Sequence, residues 1–177
     1  MEEARLEPRP EGLTAVTDGW FVVNVRDAAW VQNEVLGSAC IFEGEEAPFS
    51  QVGYTIGVLQ PGQSGGRYHR EVNQEDFLVL SGECIAIIEG EERHLKAWDF
   101  VHCPPWTEHV FVGSGDGPCA IVGVGARNAG EGLRYPVSDV ALRHSAGVKE
   151  EATSGKVAYA GVPESTHGPY GEGLPDY

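Results

Sequence analysis

A chain of 177 residues, 41% of them hydrophobic, has room for one packed core and not for two comfortable ones. Twelve Lys plus Arg against 27 Asp plus Glu leave a formal charge of -15, a field that repels polyanions and sets nucleic acid aside as a partner. The apolar runs are only a few residues long, so no membrane-spanning segment is expected.

In chain order, residues 1–18 read as an N-terminal arm. The stretch MEEARLEPRPEG is acidic and Pro-containing, without the basic head and apolar run of a targeting segment. Cys40, Cys84, Cys103 and Cys119 stand singly, three of them in apolar runs. That suits buried small hydrophobes in a reducing, cytoplasmic setting rather than a zinc knuckle or redox pair.

Residues 19–127 read as an all-β barrel or sandwich. Short segments rich in Val, Ile, Phe, Tyr and Trp are each closed by Gly, Pro, Asp or Asn. Val52, Tyr54, Ile56 and Val58 alternate with Gly53, Thr55 and Gly57, so one strand face carries large side chains and the other is a floor with room above it. EDFLVL, ECIAIIE and ERHLK follow, parted by Ser81-Gly82 and by Gly90, and these hairpin-length breaks predict a meander. WDFVHC, TEHVFVG and CAIVGVG complete the series, with Pro104-Pro105 and a Gly-rich loop at 113–117 between them. From 128 to 177 the composition shifts to Gly, Ser, Pro and Glu. An extension is expected there, mobile or laid over the barrel, with short helical pieces after Ser138 and near Lys156 to Ala160.

The chemistry gathers on a few residues. His69 and Glu71 are two apart on a predicted strand and share a face, and Glu75 heads the next strand after a short turn at Val72-Asn73-Gln74. His109 opens HVFV behind the stiff Pro104-Pro105-Trp106 bend and, in a closed barrel, returns to the same interior. Two imidazoles with one or two carboxylates suit one divalent transition metal, Fe, Mn, Ni, Co or Zn. Glu71 is open to two roles, ligand or general base beside a three-ligand site. Tyr54, Gln74, Phe77, His102 and Phe111 are candidates for the pocket wall or for support of the ligands, although aromatics at strand spacing are more often plain core. Most lone histidines are simply hydrogen-bonded, and His94, His144 and His167 are read so.

With these residues in place, the central half of the chain resembles the cupin superfamily, whose motifs are G-x5-H-x-H-x3-4-E-x6-G and G-x5-P-x-G-x2-H-x3-N. His69 matches the leading His, Glu71 stands where a second His is usual, and Glu75 and Gly82 follow at the family's distances. Pro104 and His109 match the second motif. Gly62 lies one residue too far from His69, Trp98 and Trp106 replace two motif glycines, and Gly113 replaces the Asn. The resemblance implies an antiparallel double-stranded β-helix, or jelly roll, holding a metal on His69, Glu71, Glu75 and His109. It also implies a metal-dependent enzyme of dioxygenase, isomerase or lyase type acting on a small polar metabolite. The alternative is a non-catalytic module that binds or senses a sugar or organic acid. A homodimer is common among proteins of this kind and is expected here.

Overall fold

The computed structural model describes residues 1–127 and 132–175. Residues 128–131, where the C-terminal extension is expected to begin, and 176–177 lie outside them. The strands are β1 (Leu6–Arg9), β2 (Gly12–Ala15), β3 (Ala29–Asn33), β4 (Gly37–Ile41), β5 (Val52–Leu59), β6 (Arg70–Glu71) and β7 (Glu75–Ser81). They continue with β8 (Glu83–Ile88), β9 (Glu91–Lys96), β10 (Phe100–Cys103), β11 (His109–Ser114), β12 (Cys119–Ala126) and β13 (Leu133–Arg134). Two short helices, α1 (Asp139–Arg143) and α2 (Gly155–Ala158), precede β14 (Thr166–Gly168). The fold is the expected all-β, antiparallel jelly roll.

Two sheets face each other. One has seven strands in the order β10-β7-β12-β5-β4-β3-β14, and the other has β11-β8-β9. Bridges Ser64↔Val112 and His69↔His109 lay the segment before β6 along β11, and β13 pairs with β6. Leu59, Val79, Ala86, Val101, Phe111 and Ile121 fill the space between the sheets. Period-two alternation explains this core: in β10, Val101 and Cys103 are buried while Phe100 and His102 are exposed.

The predicted meander is corrected. β8 and β9 are a hairpin, but β7 pairs with β10 and β12 and not with β8. Gly82, at φ +71, turns the chain from one sheet to the other, and a Cβ there would lie 2.2 Å from the Pro118 carbonyl oxygen. A two-residue break implies a hairpin only when both strands stay in one sheet, and here the corner separates them.

The chain beyond the barrel is laid down as well. Residues 1–18 hold the β1–β2 hairpin, which leans on the barrel through the Leu13↔Ala28 bridge. The predicted helical pieces are α1, capped by Ser138 Oγ accepting from the Ala141 amide, and α2. Ala141 and Ala146 cover the outer face of the smaller sheet against Tyr68, Ile87, Val110 and Val112. β14 pairs with β3, while Tyr170 and Leu174 pack on Trp30, Cys40 and Val58.

Candidate metal centre

His69, on the bridge to His109, and Glu75, at the head of β7, bring their donors to one point with His109 at the start of β11. The three ligand atoms lie within 4.8 Å of one another. Each imidazole is oriented by the backbone: Nδ1 of His69 lies 2.8 Å from the Arg67 carbonyl oxygen, and Nδ1 of His109 lies 3.0 Å from that of Thr107. A carbonyl only accepts, so Nδ1 is the donor and carries the proton in each ring. In the neutral rings both Nε2 atoms therefore present lone pairs.

Those lone pairs face a carboxylate oxygen. Glu75 Oε2 is 3.2 Å from His109 Nε2 and 3.7 Å from His69 Nε2. Neither approach has hydrogen-bond geometry, and Oε2 is buried with no hydrogen-bond partner. Three acceptors converging on one point repel each other unless a cation lies among them. Ligands about 2.1 Å from a shared ion stand roughly 3.0–3.5 Å apart between right-angle and tetrahedral geometry, close to the separations found here. The donor set, two imidazoles and a carboxylate, fits a divalent transition metal.

A proton gained by an imidazole is the alternative to a cation, because an imidazolium attracts the carboxylate that a lone pair repels. Burial pushes the Glu75 carboxyl up, but the facing His109 and His69 rings outweigh it and hold it at about 2. Burial lowers His69, and the Glu75 carboxylate more than compensates, so its net direction is upward. The Glu71 carboxyl is raised by burial first and by the charge of Glu75 second.

Glu71 is not among the three donors that lie within 4.8 Å of one another. It lines the same cavity from β6, with its carboxylate hydrogen-bonded to Asn73. The cavity measures about 350 Å³ and is bounded by Gly53, Tyr54 and Thr55 of β5, Glu75 and Phe77 of β7, and Gly123, Gly125 and Arg127 at the end of β12. Its floor is the small-residue face of β5 continued by Gly123 and Gly125; an added Cβ at Gly125 would stand 3.8 Å from Glu75 Cγ. Phe77 lies with its ring 5.3 Å from His109 and 4.5 Å from Phe111. Phe111 is buried in the core beneath, 6.2 Å from the His109 ring.

Two of the predicted supporting residues lie elsewhere. His102 is on the exposed face of β10, its Nδ1 2.6 Å from Asp76 Oδ1. Gln74 is exposed and donates to Asp76 Oδ2 at 2.6 Å. Asp76 follows Glu75 on β7 and so points away from the interior, which takes both partners with it. His94 and His167 are exposed, and His144 pairs with Glu92 at 2.9 Å.

Some contributors escaped the sequence reading. Asn73 and Arg127 carry no motif signal. Tyr135, buried beyond the barrel segment, sets its ring 6.0 Å from that of His69. Gly123 and Gly125 had a signal, because GVG in β12 repeats the small-residue alternation noticed in β5.

The family model for the Cupin domain matches residues 55–125, which hold all three donors. Among solved structures, the chain is similar to the polyketide cyclase RemF from Streptomyces resistomycificus at 15% identity and TM-score 0.53, covering 64% of this chain and 84% of that one. It is also similar to an uncharacterized conserved protein with a double-stranded beta-helix domain from Klebsiella pneumoniae, at 30% identity and TM-score 0.44, covering 48% and 74% of the two chains. A protein from Acidithiobacillus ferrooxidans, provisionally assigned as a sugar phosphate isomerase, matches at 24% identity and TM-score 0.42. That match covers 44% of this chain and about half, 51%, of the other's length. No curated protein matches the chain in sequence. At 15% identity the likeness to the cyclase extends to the fold.

Proposed function

Because this chain belongs to the cupin superfamily, we propose that it is a metal-binding cupin in which His69, Glu75 and His109 hold one divalent transition metal, Fe, Mn, Ni, Co or Zn. We propose further that it acts on a small polar metabolite in the cavity, with 19–127 as the working barrel. The observation that carries this reading is the buried, partnerless Glu75 Oε2 facing two imidazole Nε2 atoms. Bound there, an ion would supply Lewis acidity and open positions for substrate or oxygen, the chemistry shared by dioxygenases and by metal-assisted isomerases and lyases.

The chain's own residues do the rest. The Arg67 and Thr107 carbonyls fix the rings so that little ordering is lost on binding. Phe77 and Phe111 keep water from the rear of the site. Glu71, whose carboxyl is raised by burial and by the charge of Glu75, lines the same cavity and would serve as the base that takes a proton from a molecule held there.

The test is elemental analysis of untagged protein beside His69→Ala and His109→Ala. About one metal per chain is expected in the parent and under a tenth in either variant; unchanged content in the variants removes the reading. Oxygen uptake and conversion of a metabolite panel by the Fe(II)- and Mn(II)-loaded protein then separate turnover from binding alone. Four free, buried cysteines support a reducing, cytoplasmic setting. No helix among the described residues is long and apolar enough to cross a membrane. Exposed Trp98 and Phe100 beside the edge strand β10 support the homodimer, which sedimentation would remove by finding a monomer.

A further inference from the structure

Resting on the metal reading above, we infer that the cavity takes a small uncharged, hydroxyl-bearing molecule and turns away phosphate esters and carboxylates. The inference comes from the charges that line it. Among the described residues these are Glu71, Glu75 and Arg127, with the His69 and His109 rings beside them.

Arg127 is the cation an anionic ligand would need, and it is already engaged. Its Nη1 donates to Glu43 Oε2 at 2.8 Å and to the Phe49 carbonyl at 2.8 Å, and its Nη2 donates to Glu43 Oε1. Glu43 is locked in turn by accepting from the Phe49 amide at 2.7 Å. A two-pronged carboxylate contact of this kind satisfies the guanidinium and cancels its charge toward the cavity. The stretch following Arg127, Asn128-Ala129-Gly130-Glu131, contains no Lys or Arg.

The two carboxylates act in the opposite sense. A divalent ion on the donor cluster would be balanced by the formal charges of Glu75 and Glu71 together, so the loaded cavity would have no net positive charge with which to hold an anion. Among the described residues no Lys or Arg forms an ion pair with Glu71. Asn73 is hydrogen-bonded to it, and a carboxylate with one such bond has acceptor capacity left for a ligand O–H. The glycine floor at Gly53, Gly123 and Gly125 lets a ligand lie close to the sheet, and about 350 Å³ suits a molecule of monosaccharide size or less.

The experiment loads the full chain with Co(II) and titrates it with two probes that differ by one group, dihydroxyacetone and dihydroxyacetone phosphate. Binding is followed by the visible cobalt spectrum and by calorimetry. Dihydroxyacetone is expected to perturb the spectrum and to bind at least tenfold more tightly than its phosphate. Glu71→Gln should narrow that gap, weakening the neutral probe and strengthening the phosphate, with cobalt stoichiometry unchanged. Glu43→Gln, which releases Arg127, should strengthen the phosphate severalfold and leave dihydroxyacetone as it was. Phosphate bound as tightly as the neutral probe, no binding of the neutral probe, or a gap indifferent to both substitutions would overturn the inference while leaving the metal in place. A chain that takes up no cobalt removes the metal reading and this inference together.

Discussion

Trp98 and Trp106 occupy the two places where the cupin motif has glycine, and both keep the backbone that glycine would give, at φ +76 and +70. The turns are retained because the Trp98 amide donates to the Val79 carbonyl at 2.8 Å and the Trp106 amide to that of Glu71 at 2.6 Å. A left-handed backbone costs a bulky residue roughly 1–2 kcal/mol. Trp98 is 75% exposed and loses little burial on truncation, while glycine gives back about 0.5–1 kcal/mol through unfolded-chain entropy. Trp98→Gly should therefore leave the melting temperature unchanged or raise it by a few degrees; a fall beyond about 3 °C by calorimetry would show that the indole contributes something other than strain. Glu75 sets the acid response of the metal-free protein. Its carboxyl sits at about 2 in the fold against about 4.3 in the unfolded chain, so it contributes stability of about 3 kcal/mol above the unfolded value, lost as pH falls toward 2. His69, raised by the same contact, adds stability below about pH 6.5 that disappears as pH rises through its folded value. Glu75→Gln should flatten the denaturant-measured stability profile between pH 4.5 and 2; an unaltered acid limb would contradict this assignment.

At the level of strands, the sequence told much about which segments are extended and little about which of them are neighbours. Apolar segments closed by turn residues marked β5, β7, β8, β10, β11 and β12, with a period of two where one face is exposed, as in β10, and an unbroken run where both faces are covered, as in β11. The partner of β7 was not written there, since Gly82 looks the same in a hairpin and at a corner between sheets. His69, Glu75 and His109 were legible because three spacings coincide, whereas the role of Glu71, at the end of the two-residue β6, was not written in its spacing. β6 is short and is steadied by a strand from beyond the barrel: Leu133 pairs with Glu71, Arg134 with Arg70, and the Val72 amide donates to the Gly132 carbonyl at 2.9 Å. Leu133→Pro should loosen this pairing and weaken metal binding roughly tenfold. Hydrogen exchange should then rise at Glu71 and Val72 while Val79 and Ile121 stay protected; equal loss of protection in the barrel would mean that the pairing holds the whole fold rather than the site.

Over the whole molecule, a charge of -15 on 177 residues makes like-charge repulsion a standing cost to the compact state. Salt shortens the reach of that repulsion to about 8–10 Å at physiological strength, so the melting temperature should climb as sodium chloride goes from about 10 to 150 mM. A fall over that range would mean that attractive pairs such as Arg127–Glu43 and Arg70–Glu108 outweigh the net field. The bare stretch of β5 and β12 has a consequence for how the cavity could be remodelled. Where the chamber is shaped by side chains that are missing, every substitution at Gly53, Gly123 or Gly125 adds bulk. Drift at these positions can only shrink the cavity, and enlarging it requires the loops at the rim to move instead.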